Sequence, residues 1–295
     1  MRTPPLYWGC LLLFGAGWGL LQPLNKVAVE AGFQPWAIVA WQGAVTLTLA
    51  GGICAWRRVG LPKGAAQWAV AVQVAVLGTL IPHWATYTAV SVLPAGLMAF
   101  LMATIPIMAL PLGVAMGREQ ATIRRMAGLG LGLAAVAVIA SARDGLEPGA
   151  GWAVAIALVA PFCYALNSTL LAKRGMAGLD PLRAFAGAAC LFWPVSVLVA
   201  VATGQAAWLF APGQVAGSWA VLGIAAGHTL LYAGFLWLVT NAGSVFASQT
   251  AYLVTGFGVF WSVLLLGERY PVAVLMAGVM MLVGMAMVRP VERRA

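Results

Sequence analysis

The sequence has 295 residues, 63% of them hydrophobic and 8% charged, with a formal net charge of +9. Soluble domains carry about 25% charged residues, so this composition excludes a water-exposed globular surface and predicts a protein embedded in lipid. The basic residues stand singly or in pairs between apolar runs, which is typical of a membrane topology bias and argues against a nucleic-acid partner.

Apolar runs bounded by charges, proline or glycine predict ten transmembrane helices, each about 20 residues long. The first five span residues 6–24, 36–55, 66–90, 92–116 and 123–141, and the second five span 150–172, 181–203, 218–240, 244–266 and 272–288. Spans three and four nearly touch, as do spans eight and nine, so each pair is predicted to form a tight helical hairpin. The fold class is therefore an all-α membrane protein.

The distribution of lysine and arginine predicts the orientation of the chain in the bilayer. If the N-terminus lies in the cytoplasm, thirteen of the sixteen basic residues fall on the inner side and three fall outside, namely Lys26, Arg143 and Arg269. An excess of basic residues on cytoplasmic loops is the rule for inner-membrane proteins. We expect a multi-pass protein of the bacterial inner membrane with both termini in the cytoplasm.

The two halves of the chain share landmarks at nearly one spacing. The tripeptide at residues 126–128, Met-Ala-Gly, recurs at residues 276–278, and Gly117 matches Gly267 at the same offset of 150. Each of these glycines is followed by an Arg/Glu pair. We therefore predict two five-helix repeats, residues 1–145 and 146–295. Because five is odd, the second repeat would be inverted in the membrane, an arrangement characteristic of secondary transporters.

Several motifs carry a resemblance to a known family. The first helix contains a glycine pair (Gly17 and Gly19) followed by Pro23 and Lys26, and span nine ends in Leu-Gly-Glu-Arg at residues 266–269. Together with Pro106 in span four, these residues resemble the drug/metabolite transporter superfamily, EamA type. The first half departs from the pattern at residues 116–119, which read Met-Gly-Arg-Glu. The resemblance implies a cavity between helices 1, 3, 4, 6, 8 and 9, peripheral helices 5 and 10, and the transport of metabolites, often amino acids.

Polar side chains at membrane depth are candidates for a solute site because each needs a partner or a water-filled cavity. In the first helix, the spacing of Trp18, Gln22 and Asn25 places them on one face. The alternative is that these groups form hydrogen bonds between helices and do not meet a solute.

The two histidines of the chain occupy similar positions in spans three and eight. His83 shares a helix face with Tyr87, next to Trp84, and His228 shares a face with Tyr232. At 1.5 Å per residue, the depths of the two histidines differ by about 5 Å. We expect them to line one cavity and to be candidates for proton coupling, because histidine changes charge near neutral pH. The alternative is that each is a hydrogen-bonded interhelical residue.

Further candidates are methionine, aromatic and amide side chains at helical spacing in three other spans. They are Met98 and Met102 in span four, Tyr164 and Asn167 in span six, and Gln249 and Tyr252 in span nine. Such residues are more often part of a packed core, but an aromatic and methionine-lined pocket would suit an apolar or aromatic solute.

These patterns favour a secondary transporter, with export as the favoured direction, for a small neutral or zwitterionic metabolite such as an amino acid. No acidic residue lies near the middle of a span, which argues against a buried carboxylate for cationic drugs. Efflux of hydrophobic or aromatic drug-like compounds is the first alternative, and a channel or lipid-handling protein is the second.

An enzyme is not expected, because no GxSxG, HExxH or paired-acid motif and no Walker motif occurs in the sequence. We therefore expect no catalytic residues, no cofactor and no metal. The predicted partners are a small-molecule solute and the lipid bilayer. The chain would act as a monomer or a homodimer, and Gly128 and Gly132 form a GxxxG motif that could pack closely.

Overall fold

Ten long helices form the part of the chain that the structure describes. The computed structural model describes residues 4–117, 119–141, 151–242, 244–247 and 249–288, and every regular element within these residues is a helix. In chain order the long helices are α1 (Pro5–Glu30), α2 (Pro35–Trp56), α3 (Gly64–Val90), α4 (Ala95–Ala115), α5 (Ile123–Ser141), α6 (Gly151–Arg174), α7 (Pro181–Ala202), α8 (Val215–Ala242), α9 (Thr250–Leu266) and α10 (Val272–Val288). The all-α prediction is confirmed for these residues.

The apolar character of the helices explains how they meet their surroundings. Six of them, α2, α3, α4, α6, α7 and the Val215–Phe235 part of α8, are long and apolar enough to cross a membrane, and α9 and α10 are shorter apolar helices. Large apolar side chains such as Leu198 and Trp219 are more than 60% exposed. Contiguous apolar surface of this kind is unfavourable in water and matches a lipid environment.

Most helix boundaries lie within three residues of the predicted spans, and the largest differences are at the end of α1 and the start of α9. α1 continues past the predicted end to Glu30, because the Lys26 ammonium finds backbone acceptors and does not interrupt the helix. α8 runs to Ala242, whereas the predicted span ended at residue 240. α9 begins at Thr250 and not at residue 244, since a separate short helix, Ser244–Ala247, precedes it. The predicted turn at residues 241–243 falls partly outside the described residues.

Two helices contain local departures from α-helical geometry. A π-helical turn, Val76–Leu80, interrupts α3 shortly before His83. α4 consists of two pieces, Ala95–Met102 and Ile105–Ala115, separated by a break at residues 103–104 that comes directly before Pro106. Such interruptions redirect a helix face or let one part of a helix bend relative to the other.

The packing of the ten helices has a regular plan. α2 packs on α7, α5 packs on α10, and α4 packs on α9. α1 packs on α8 and α9, just as α6 packs on α3 and α4, and α2 packs on α8 just as α7 packs on α3. These nine pairs, which are the most extensive among the described residues, are unchanged as a set when each helix is exchanged for the helix five places away in the chain.

Glycine allows two of these helix pairs to approach closely. A side chain on Gly19 of α1 would lie 2.8 Å from the backbone nitrogen of Gly258 in α9. A side chain on Gly128 of α5 would lie 2.8 Å from the carbonyl oxygen of Gly284 in α10. Gly132 faces Ile107 of α4. The GxxxG face predicted for close packing is thus used within the chain.

Basic residues gather at one end of the bundle, which we call the basic end. Arg57 after α2 pairs with Asp180 before α7 at 3.1 Å, so the α2–α3 and α6–α7 loops meet there. Arg183 donates to the carbonyl oxygen of Leu61 in the same region at 3.0 Å. Because the helices alternate in direction, α4 ends and α5 begins at this end as well. We call the opposite end, where α1 ends and α4 begins, the Lys26 end.

Candidate functional site

The two histidines meet inside the bundle. The ring centroids of His83 on α3 and His228 on α8 are 5.0 Å apart, with the ring planes inclined by 31°. The side chain of His83 is buried, and that of His228 is largely buried. The similar depth that the rise per residue predicted for the two histidines therefore agrees with this geometry. Since the rings come from opposite halves of the chain, a solute bound against the pair would contact both halves.

Gln42 on α2 orients the first of these histidines. Its Oε1 lies 2.8 Å from Nδ1 of His83, and it accepts a hydrogen bond when His83 carries its proton on Nδ1. In that tautomer Nε2 keeps a lone pair and can accept a proton or a hydrogen bond. One turn along α2, Thr46 shares a hydrogen bond of 3.1 Å with Thr229, the residue after His228. Sequence analysis missed Gln42, although it is a polar residue in the middle of a span.

The aromatic neighbours of the histidines point in different directions. The ring of Tyr87 is buried, with its centroid 6.1 Å from that of His83. Tyr232 packs on Phe185 of α7 at 5.2 Å. Trp84, one residue after His83, instead stacks on Trp36 of α2 with centroids 6.4 Å apart. Tyr87 therefore lies close to the histidine pair, whereas Tyr232 packs against α7 and Trp84 lies on another side of α3.

The polar groups of α1 are buried. Gln22 and Asn25 expose 9% and 3% of their surface. Among the described residues, Oε1 of Gln22 and Oδ1 of Asn25 have no hydrogen-bond partner. Unsatisfied buried oxygens are rare in proteins and point to water or a bound molecule. Trp18 packs its ring edge-on against Phe235 of α8 at 5.4 Å, within an apolar cluster between α1 and α8.

The candidates on α6 and α4 have structural partners. Asn167 accepts a hydrogen bond of 3.0 Å from the side-chain amide of Gln73 on α3. Tyr164 lies partly buried on the same helix. Met98 is fully buried in the apolar cluster of α4, α5, α6 and α10, and Met102 packs against that cluster. The geometry assigns the two methionines to the core and separates them from the histidine pair.

A cavity of about 340 Å³ opens toward the basic end, between α4, α6, α9 and α10. Its walls are mainly apolar and include Pro106, Leu110 and Met285. Tyr252 and Ser168 also line it, and Gln249 stands directly before α9 at the same end. The histidine pair does not line this cavity. The predicted site residues are thus divided between a buried polar cluster and a more open vestibule.

Charged residues at the rim of this vestibule are paired. Arg125, which is 6% exposed, contacts the carboxylate of Glu119 at 2.8 Å. Its Nε donates to the carbonyl oxygen of Val288, at the end of α10, at 2.9 Å. A cation that binds the last carbonyl groups of a helix is favourably placed with respect to the helix dipole. The pair therefore ties the start of α5 to the end of α10.

Lys26 plays a similar role at the other end of the bundle. Its Nζ donates to the carbonyl oxygens of Val90 and Leu93 at 3.0 and 3.4 Å, at the end of α3. It also lies 3.6 Å from the carboxylate of Glu30, which is exposed. The side chain of Lys26 thus binds backbone groups and does not enter the interior of the bundle.

Glu268, from the Leu-Gly-Glu-Arg motif, binds the start of α4. Its two carboxylate oxygens accept hydrogen bonds from the backbone N–H groups of Ala95 and Gly96 at 2.7 and 3.1 Å. The hydroxyl of Tyr270 donates to the same carboxylate and accepts from Gly96. Burial, and then the hydrogen bond and charge of Glu268, raise the pKa of Tyr270 well above its ordinary value, so the hydroxyl keeps the proton that it donates. Sequence analysis recognised Glu268 as a motif residue but not its partners.

Comparisons with known proteins agree with this architecture. The chain is similar to a crystal structure of another protein with a TM-score of 0.61 and 15% identity, over 94% of this chain and 95% of that one. At this identity the likeness shows a shared fold. No curated protein sequence matches the chain. Residues 7–141 match the EamA-like transporter family. Over these residues the chain is similar to the EamA-like transporter family, which lies in the drug/metabolite transporter superfamily, and the chain is a multi-pass membrane protein.

Proposed function

We propose that this chain is a secondary transporter that exports a small neutral or zwitterionic metabolite, with an amino acid as the favoured class. It would work by alternating access, with residues 1–145 and 146–295 as inverted repeats. We further propose that the protein lies in the bacterial inner membrane with both termini in the cytoplasm. The histidine pair, Gln42 and the unsatisfied oxygens of α1 would form the solute site.

The observation that carries this proposal is the exchange-symmetric packing of the helices. Among the described residues, each of the nine most extensive helix pairs is matched by the pair five places away in the chain, or is its own counterpart. Two inverted repeats around a central site would produce this plan, because the two halves could exchange conformations and open the site alternately to each side. Helices α3 and α8, which correspond in the plan, are the ones that supply the two histidines.

The chemistry of the interior supports a solute without a strong net charge. Within the described helices, Glu30 is the sole acidic residue and it stands at the end of α1. The buried groups near the histidines are amides, hydroxyls and imidazoles, which form hydrogen bonds to neutral or zwitterionic groups. A cationic drug would require a buried carboxylate in this region, and a phosphorylated solute would require a buried cation.

The position of the vestibule supports export. In this conformation the cavity opens at the basic end, which the distribution of lysine and arginine assigns to the cytoplasm. A cytoplasmic solute would therefore meet the open side first. The apolar lining of the cavity favours, as a second candidate function, efflux of hydrophobic or aromatic drug-like compounds.

Counterflow in proteoliposomes tests the proposed transport. We expect purified protein to exchange a radiolabelled neutral amino acid against the same unlabelled compound inside, with saturable kinetics. A thermal-shift screen against neutral, cationic and aromatic compounds selects the solute, since a ligand at 100 times its Kd stabilises the folded state by about 2.7 kcal/mol. Flux that rises linearly with concentration would instead indicate a channel. Stabilisation by aromatic cations alone would favour drug efflux.

A further inference from the structure

The turn between α3 and α4 is bound by two side chains of opposite charge. Lys26 binds carbonyl oxygens at the end of α3, and Glu268 binds the first amides of α4. A cation is favourable at a helix C-terminus and an anion at a helix N-terminus, because the aligned peptide dipoles leave partial charges there. One side chain comes from α1 and the other from the segment after α9, so the turn is joined to both neighbours.

The helical piece that follows this turn is short and has a break at its far end. Ala95–Met102 is eight residues long and ends at the break at residues 103–104. Within it, Leu97, Met98 and Ala99 expose 2% of their surface or less. These side chains are therefore packed against neighbouring helices and closed off from solvent. We therefore expect this piece to move only when Lys26 and Glu268 release the turn at its start. The break at residues 103–104 would then serve as the hinge.

The opposite end of the bundle differs in the corresponding place. Glu119 stands two residues after Gly117, whereas the motif glutamate directly follows Gly267, and Glu119 pairs with Arg125. At the start of α9, the side chain of the preceding Gln249 makes no capping hydrogen bond. The vestibule lies at this end. The vestibule therefore lies at the end of the bundle opposite the one where Glu268 binds the start of α4.

We propose that Lys26 and Glu268 form a charge latch that holds the Lys26 end closed and must release the α3–α4 turn before that end opens. The latch rests on the alternating access proposed above, and it assigns to the motif glutamate a role in gating. Breaking either charge would shift the conformational equilibrium toward opening at the Lys26 end, because the first amides of α4 or the last carbonyls of α3 would lose a charged partner.

Thiol accessibility measures this opening directly. Cys10, Cys54, Cys163 and Cys190 are replaced by serine or alanine, and Ala95→Cys is introduced as the reporter at a position that is fully buried. The protein is reconstituted in lipid nanodiscs and labelled with a water-soluble maleimide. We expect Glu268→Gln to raise the labelling rate about tenfold, and Lys26→Gln to raise it by a smaller factor.

Arg269→Gln is the matched control, since Arg269 is an exposed charge in the same segment as Glu268. We expect this variant to label at the rate of the unsubstituted background. Equal rates for Glu268→Gln and Arg269→Gln would overturn the latch. If Glu268→Gln does not fold, Glu268→Asp supplies the same comparison, because it keeps the charge but shortens the reach to α4.

The labelling experiment separates the latch from the transport function. Labelling needs no solute, so unchanged rates would contradict the latch and leave counterflow by the wild-type protein as it stands. Conversely, wild-type protein without saturable counterflow but with faster labelling in Glu268→Gln would contradict the transport proposal alone.

Discussion

Replacement of His83 or His228 by alanine is expected to lower counterflow at least about tenfold, the factor that corresponds to one lost hydrogen bond of about 1.4 kcal/mol. The rings lie 5.0 Å apart and come from α3 and α8, so a solute bound against the pair would contact both. Loss of the His83 imidazole also leaves the buried Oε1 of Gln42 without its hydrogen-bond partner. We therefore expect His83→Ala to lower counterflow more than His228→Ala does.

The same variants test proton coupling. In proteoliposomes with an imposed pH gradient, wild-type uptake is expected to respond to the gradient, and both alanine variants are expected to lose that response. Leu230→Ala is the matched control, because Leu230 lies on α8 two residues after His228 and is 54% exposed, facing lipid. Unchanged rates and unchanged coupling in both histidine variants would remove the histidines from the solute site.

Gly128→Leu is expected to destabilise the protein by about 1–3 kcal/mol, with a melting temperature in detergent lower by about 5 °C. Its new side chain would start 2.8 Å from the carbonyl oxygen of Gly284 and 2.7 Å from Cβ of Met287. Neither group can move without separating α5 from α10. These two helices form one of the most extensive contacts in the bundle.

Gly130→Leu provides the control on the same helix. Nothing lies within 4 Å of a side chain built at Gly130, so its leucine would extend into lipid. We expect its melting temperature to match that of the wild type. A similar loss in both variants would mean that helix propensity and general perturbation of α5, and not the close contact with α10, determine the effect.

The sequence predicted the bounds of some helices correctly and those of others less well. The predicted spans 123–141 and 272–288 agree with the bounds of α5 and α10. α1 exceeds its predicted span because hydropathy marks the edge of the lipid, whereas a helix ends where its backbone hydrogen bonds end. The short helix before α9 was missed, because an apolar run carries no signal for a local break.

The site was only partly predictable, for reasons of rotation and tertiary contact. Successive residues on a helix point about 100° apart, so Trp84 cannot share a face with its neighbour His83, and it stacks on Trp36 instead. Gln42 could have been identified by the same criterion as Gln22, because both are polar side chains at membrane depth. The partners of Glu268 lie 172 and 173 residues earlier in the chain, and no local pattern indicates such a contact.

The π-helical turn of α3 makes the histidine pair sensitive to helix register. A π turn accommodates one more residue than an α turn, and it ends at Leu80, three residues before His83. Were this turn to tighten into ordinary α-helix, the following residues would rotate by about 100° and advance by about 1.5 Å. Pro82 or Trp84 would then face α8, and the imidazole of His83 would swing away from both His228 and Gln42. A one-residue slip in α3 would thus erase the polar cluster without any change in the bundle around it.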